Sequence, residues 1–430
     1  MKSFAIHTLG CKVNTFESES YVLTMKQAGY IQKSFNEKAD IYIINSCAIT
    51  NTASAKTRQK INQALHQNED ALICVIGCMV QVNEKNINAD MRIDVLIGSS
   101  HKNELLQHIN KAIDERKQQI VISDVLENPD FDELIVDHFD THTRAFLKIQ
   151  DGCDQFCTYC IIPYARGKER SLAPEKVLTQ AKQLINSGHN EIVLSGIHTG
   201  RYGKEYNMTL ADLIRELLKT DVQRIRISSI EITEVTDELI ALMKDNKRIA
   251  RHLHIPMQSG SDKILKLMGR PYDTSYFENK IEQIRTSLND ISISTDIIVG
   301  FAQESDDDFN ETYNFALKMA FSFIHVFPFS LKTKTLAAQL DQQVSEIVKK
   351  ERVKRLLDLS AQLNDKYNRS FIEKEVQVIF ESSRNNEMIG YTSEYLSLKV
   401  KCTEKKPKKL YNVRVSDYID RQLHGYIIKE

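Results

Sequence analysis

Cysteine is scarce in this chain of 430 residues: there are eight, at 11, 47, 74, 78, 153, 157, 160 and 402. They are too sparse for a disulfide scaffold, and their placement reads as ligand positions in a reducing compartment, so a cytoplasmic location is expected. Net charge is lacking too. Lysine and arginine number 57 against 58 acidic residues, leaving −1. That excludes a protein basic over its whole surface and requires any nucleic-acid contact to be local. No apolar window reaches the ~18 residues that span a bilayer, so no membrane partner is expected. The opening MKSFAIHTLGCKVN has no apolar run of roughly 7–15 residues and no small-residue cleavage site, and no signal peptide is expected. Between 118 and 143 lysine and arginine are absent, while seven acidic residues fall from Asp124 to Asp140. This stretch reads as an acidic connector unsuited to a polyanion. Length alone suggests two or three domains with substantial cores.

What is present is most concentrated at Cys153–Cys160, written CDQFCTYC. Three thiolates so spaced can hold three irons of a [4Fe-4S] cube from one loop and leave the fourth iron open. FLKIQ (146–150) before them has strand character, and Asp151-Gly152 turns the chain out of it. The alternatives are chance spacing or a structural zinc site. Zinc closes with four ligands, and neither His142 before the strand nor His189 beyond the next helix is an obvious fourth.

Apolar segments SFAIHTL (3–9), IYIINS (41–46), LICVIG (72–77) and IDVLIG (93–98) read as short buried strands, with helix-like stretches at 17–29 and 53–66. The alternation predicts a parallel α/β domain over 1–135. Cys11, Cys47 and Cys78 each follow a strand, and the carboxyl ends of such strands gather on one edge. Spacing alone leaves open whether they form a second site or stand there by coincidence. Cys74 lies inside its strand, where a small buried hydrophobe is expected. Asn14, Glu17, Asn45 and Gln81 read as turn, helix-start and cap residues.

Six strand–helix repeats follow, with strands at 146–150, 191–196, 224–229, 252–256, 293–300 and 323–327 and helices at 174–188, 210–220, 233–243, 277–288 and 307–319. They predict a partial (β/α)6 barrel with its site at the carboxyl ends of the strands. Positions there include Ser195-Gly196, Ser228-Ser229, Pro256 to Gly260 and Asp296. An amphipathic helix spans 345–371, and its KKERVKR run reads as a solvated face. The central unit is thus 141–370. Over 371–430, four alternating segments at 376–380, 396–400, 411–415 and 425–430 predict a small β-barrel. Its EKKPKK loop (404–409) is suited to phosphate contact or to plain solubility.

With GCxxN, NxC and GCxxQ elements around Cys11, Cys47 and Cys78, and CxxxCxxC with Tyr159 before its last cysteine, the chain resembles the radical S-adenosylmethionine (SAM) methylthiotransferase family. LHIPMQSGSDKILKLMGR (253–270) and IGYTSEYLSLKV (389–400) carry the resemblance onward into a carboxy-terminal TRAM domain. HTLGCKVN (7–14) and CDQFCTYCIIPYARGKERS (153–171) most resemble the subgroup that methylthiolates N6-threonylcarbamoyladenosine at tRNA position 37; isopentenyladenosine or an aspartate of ribosomal protein S12 are the sister substrates. The resemblance implies two [4Fe-4S] clusters, one on Cys153, Cys157 and Cys160 and an auxiliary one on Cys11, Cys47 and Cys78. It implies SAM as radical source and methyl donor, a tRNA anticodon stem-loop as substrate, and an external electron donor and sulfur source. Tyr159, Gly196, Gln258 and Asp296 are the expected SAM-pocket residues, and no catalytic base is assigned. Two loops depart from the family's wording. Gly300-Phe301-Ala302-Gln303-Glu304-Ser305 lacks the usual proline and second glycine, so that turn is expected not to need a positive φ. In 325–338, Lys334 and Leu336 replace a glycine and a proline.

Overall fold

The computed structural model describes residues 2–127, 131–139, 143–384, 386–401 and 409–429, and of 84–86, 88–90, 384 and 429 the backbone alone. The apolar runs of the first third are strands because both of their faces are covered by helices. β1 (Ser3–Thr8), β2 (Ile31–Gln32), β3 (Ile41–Ser46), β4 (Leu72–Gly77), β5 (Val95–Ile97) and β6 (Gln119–Val121) form one parallel sheet in the order β2-β1-β3-β4-β5-β6. Helices α1 (Lys12–Gln27), α2 (Asn51–Gln67), α3 (Cys78–Asp90) and α4 (Leu105–Glu115) connect them. β1, β3 and β4 are adjacent, so the three cysteines that follow them leave the sheet side by side.

The central segment holds β7 (Arg144–Lys148), the short β8 (Gln150–Asp151) and β9 (Arg170–Ser171), then β10 (Glu191–Ser195), β11 (Arg224–Ile227), β12 (His252–His254), β13 (Ser292–Val299) and β14 (Phe323–Pro328). Its helices are α5 (Ile162–Arg166), α6 (Pro174–Asn186), α7 (Leu210–Leu218), α8 (Asp237–Asp245), α9 (Asp262–Leu267), α10 (Thr274–Ser287), α11 (Asp306–Met319) and α12 (Glu346–Arg369). Two parallel sheets, β7-β10-β11 and β12-β13-β14, are joined by the parallel bridges Ile225–Ile249 and Ser229–His254. Six strands in chain order make the expected partial barrel. α8 starts later than expected because Thr236 caps it, its side chain accepting from Leu239 N. The residues before it form a 3₁₀ turn, Ile232–Glu234.

The last segment has five strands where four were expected. β15 (Glu375–Arg384), β16 (Glu387–Thr392), β17 (Ser397–Lys401), β18 (Leu410–Ile419) and β19 (Gln422–Lys429) close in the order β15-β16-β17-β19-β18.

Packing sets the surroundings of two charged stretches. The acidic connector is not solvated throughout: β6 pairs with β5, and Val136 and Phe139 are fully buried in the main core. The KKERVKR run is not wholly solvated either. Lys349 and Arg352 are buried, donating to Phe329 O and to Glu304 respectively, while Lys350, Lys354 and Arg355 stay exposed. α1 lies between its own sheet and β7. Phe16, Tyr21 and Met25 share one core with Ala145, Phe146 and Leu147, so the amino-terminal sheet and the barrel are cemented together. The carboxy-terminal barrel docks through arginines instead. Arg226 donates to the carbonyls of Thr392 and Ser393, both at 3.0 Å, and to Glu191 at 2.6 Å. Arg144 and Arg226 also stack on Tyr395.

Candidate iron–sulfur and substrate site

Cys11 is the N-cap of α1, Cys47 follows β3, and Cys78 opens α3. Gly10, at φ +112°, allows the approach: a Cβ there would lie 3.1 Å from the Cys47 Cβ and 2.9 Å from the Asn14 amide. Cys11 and Cys47 both lie close enough to Cys78 to feel it, and burial pushes Cys47 up to about 11. The structure therefore gathers Cys11, Cys47 and Cys78. Cys74 lies fully buried in the core, as expected, and Cys402 falls outside the described residues.

The CDQFCTYC loop leaves β8 at Gly152, whose φ of +74° and contact with Lys168 (a Cβ would lie 1.9 Å from that carbonyl oxygen) exclude any side chain. Cys153 N donates to Gly167 O, Thr158 N to Met268 O and Cys160 N to Cys157 O, which fixes the loop between β9 and the end of α9. Cys153, Cys157 and Cys160 also lie close enough to interact, and burial raises Cys160 to about 12.

Each triad meets a buried arginine that the sequence reading did not single out. Arg270 donates to Cys157 Sγ at 3.3 Å and is held by Glu231 and by the Tyr272 hydroxyl. Arg166, at the end of α5, donates to Cys78 Sγ at 3.2 Å, Asn14 Oδ1 at 2.7 Å, and Glu17 and Asp151 at 3.0 Å each. Lys102 and Lys148 complete a buried ionic cluster around Glu17, at 2.7 and 3.2 Å. Glu17 is thus not a helix-start residue but the centre of the joint between sheet and barrel. Asn14 ties Leu9 O and Ser46 O together, Asn45 donates to Asn14 O, and Gln81 bridges Ser99 and Ser123. These three brace the cysteine loops. A third unanticipated residue, His198, sits 3.4 Å from Cys153 Sγ. Ala48, Cys78, Val82, Ile161 and Ala165 pack in one apolar cluster, which brings the residue after Cys47 against the residue after Cys160.

The donor set fits iron–sulfur cubes. Among the described residues, only His254, Asp296 and His325 bring three ligand atoms within 4.8 Å of one another. A tetrahedral zinc would draw thiolates to ~3.8 Å, and neither cysteine triad brings its three sulfurs within 4.8 Å of one another. Guanidinium donors aimed at sulfur balance thiolate charge in a buried place.

The four expected SAM-pocket residues have the following surroundings. Gln258 and Asp296 meet: Gln258 N donates to Asp296 O at 2.8 Å, and Gln258 takes a φ of 66°. Gly196 lies on the other half of the barrel, against Gln150 and Thr199. Tyr159 packs edge-on to Phe301, centroids 6.5 Å apart. Asp296 also pairs with His254 at 3.2 Å.

Both divergent loops are hydrogen-bonded to neighbouring segments. The 300–305 turn does adopt a positive φ, at Gly300 (70°) and at Gln303 (64°), with Gln303 N donating to Gln342 O and Glu304 accepting from Gly300 N. That hydrogen bonding offsets the strain of a non-glycine there. In the second loop Lys332 reaches Asn51 Oδ1 at 3.0 Å, at the start of α2, four residues after Cys47.

Comparison with known proteins gives the family. Residues 147–316 match the model of the Radical SAM superfamily, and residues 3–98 that of Uncharacterized protein family UPF0004. The overall path resembles the radical S-adenosylmethionine methyltransferase TsrM from Kitasatospora setae, with a TM-score of 0.58 at 10% identity over 78% of this chain and 74% of that one. At that identity the likeness concerns the fold alone. The class is therefore a radical SAM enzyme with an amino-terminal α/β domain, and such a class implies SAM and a [4Fe-4S] cluster. The chain is 42% identical, over 96% of its length and 94% of the relative's, to the "Threonylcarbamoyladenosine tRNA methylthiotransferase MtaB" of Bacillus subtilis. It is 38% identical to the Aquifex aeolicus protein of the same name, over 86% and 90% of the two chains. A "tRNA-2-methylthio-N(6)-dimethylallyladenosine synthase" of Caldicellulosiruptor saccharolyticus is 32% identical over 99% and 93%. This chain belongs to the radical SAM methylthiotransferase family. No helix among the described residues is long and apolar enough to cross a membrane.

Proposed function

We propose that this protein transfers a methylthio group to C2 of N6-threonylcarbamoyladenosine at position 37 of tRNA, with one [4Fe-4S] cluster on Cys153, Cys157 and Cys160 and a second on Cys11, Cys47 and Cys78. The observation that carries the reading is Arg166, one guanidinium that touches Cys78 of one triad and the Asp151 that leads into the loop of the other. Such a joint suits a reaction in which sulfur and radical must reach the same carbon. The name of the relative at 42% identity supports the threonylcarbamoyl substrate over the dimethylallyl one named at 32%.

When bound, the clusters and SAM supply the electron, the 5′-deoxyadenosyl radical, and the sulfur and methyl group transferred. The protein's own residues do the rest. Arg166 and Arg270 hold the cysteine loops and balance thiolate charge. The Ala48–Ile161–Ala165 cluster packs the residue after Cys47 against the residue after Cys160. The barrel lumen takes a base that must be turned out of the RNA stack to expose its edge. The units are 1–135 for the auxiliary cluster, 141–370 for radical generation and 371–430 as a TRAM domain for the RNA backbone. An external donor supplies electrons, and an external source restores the sulfur.

The test is anaerobic turnover with SAM and a reductant on anticodon stem-loops carrying either modified adenosine, read by nucleoside analysis, and on ribosomal protein S12, read by protein mass. Methylthiolation of the threonylcarbamoyl form is expected. Turnover of the isopentenyl stem-loop alone, or of an aspartate of ribosomal protein S12 alone, would overturn the substrate reading.

A further inference from the structure

A cavity of about 390 Å³ opens in the lumen on the amino-terminal half of β12, β13 and β14. It lies away from the carboxyl ends where the CDQFCTYC loop emerges, adjoins Cys11 through Lys12, and falls within the ~300–1,000 Å³ range of ligand pockets. All three parts of the chain contribute: Lys12 from the first turn of α1, His252, His254, Ser294 and His325 from the barrel strands, and Tyr395 from the carboxy-terminal barrel.

The hydrogen-bonding capacity of its wall is mostly spoken for. Ser294 Oγ is shared by His252 and His254, and Ser292 bonds Ser322 at 2.8 Å. The nearby carboxylates are committed as well: Asp296 to His254, Glu191 to Arg224 and Arg226, and Glu381 to Arg144. The Lys12 side chain, at the start of α1, makes no hydrogen bond or ion pair among the described residues. The cavity is thus a polar recess with one uncommitted cation, and its complement is an organic anion with further polar groups.

Adenine chemistry says where such an anion would come from. C2 and the N6 substituent lie on the same edge of the base, either side of N1. A base presenting C2 toward the sulfur at Cys11 therefore presents its N6 substituent to the neighbourhood of the adjoining residue, Lys12. We propose that this cavity is the subsite for the threonylcarbamoyl group and that Lys12 binds its carboxylate, making Lys12 a specificity-determining residue. The inference rests on the substrate reading above. A dimethylallyl group in the same place would leave the half-buried ammonium facing apolar carbon, a mismatch that discriminates because the charge stays unpaired.

The experiment compares binding of the reconstituted holoprotein to two anticodon stem-loops, identical except that the threonyl carboxylate is free or a methyl ester. Wild type is expected to bind the free acid about tenfold or more tightly. Lys12→Gln should bring the acid down to the ester's affinity and leave the ester within about twofold, while Lys12→Arg keeps most of the preference. Equal binding of acid and ester by wild type, or equal weakening of both by Lys12→Gln, overturns the subsite. Iron per chain is measured for each variant, and if Lys12→Gln loses iron the wild-type acid–ester comparison decides alone. Wild type that methylthiolates the threonylcarbamoyl stem-loop without preferring its free acid sinks the subsite only; failure to act on that stem-loop at all sinks the substrate reading with it.

Discussion

Arg166 is the side chain whose loss should do most damage per atom removed. It is 1% exposed and bonds Cys78, Asn14, Glu17 and Asp151. Arg166→Met keeps much of the volume but leaves two buried carboxylates with only Lys102 and Lys148, plus Arg170 at 3.6 Å from Asp151. Breaking a buried ion pair by removing one partner costs about 3–5 kcal/mol. Arg166→Lys keeps the charge, yet a point donor cannot span four partners, so the bonds to Cys78 and Asn14 are lost and about 1–3 kcal/mol is expected. For a chain of this length the unfolding entropy is on the order of 0.9 kcal/mol per kelvin. The melting temperature should then fall by about 4 °C for Met and about 2 °C for Lys. Iron should be lost preferentially from the Cys11–Cys47–Cys78 triad, since only that triad touches the guanidinium directly. The assay is a thermal melt with iron content after anaerobic reconstitution. Unchanged melting and full iron in Arg166→Met, or equal losses in Met and Lys, would refute the reasoning.

Three further outcomes are expected. Wild type should take up about eight irons per chain, the Cys153→Ala, Cys157→Ala, Cys160→Ala triple variant about four, and Cys74→Ala the full number; an active wild type holding about four would end the two-cluster reading. Burial opposes ionisation of Glu191, but Arg226 and Arg224 hold it down to about 2 from an ordinary 4.5, so its contribution of about 3 kcal/mol is present above pH 4.5 and lost as pH falls toward 2. Glu191→Gln should lose that stability at neutral pH and flatten the acid limb of the stability profile over that window, and matching limbs in denaturant melts would exclude it. Finally, Lys405, Lys406 and Lys408 lie outside the described residues, while Lys409 stands 5.4 Å over the Tyr411 ring. Changing all four lysines to Ser should weaken stem-loop binding and reduce its salt slope by ~0.9 for each phosphate no longer neutralised, and an unchanged slope would move attention to Lys350, Lys354 and Arg355 on α12.

Much was legible in the order of residues alone, and for a local reason. Alternation and apolar runs mark β7, β10 and β13 because a strand's two faces are written into neighbouring residues. CDQFCTYC is likewise a local statement, since three ligands on one short loop need no tertiary partner to be recognised. The strand-end cysteines at 11, 47 and 78 were readable only as candidates, because their meeting depends on β1, β3 and β4 being neighbours. Edge strands such as β2 and β6 were too short to carry a pattern. The charges were misread most. Glu17, Lys349 and Arg352 stand in stretches that look like caps or solvated faces, and a charged residue is read as exposed by default. Whether such a charge can be buried depends on partners remote in the chain: Lys102 is 85 positions from Glu17, and Arg166 is 149. The sequence by itself therefore determined the strands, the cysteine loop and the class of chemistry. Only the tertiary structure decided that Arg166 and Arg270 sit on cysteine sulfur and that Lys12 faces the lumen uncommitted, because desolvation and pairing of a charge belong to assembled surroundings that no local window of residues contains.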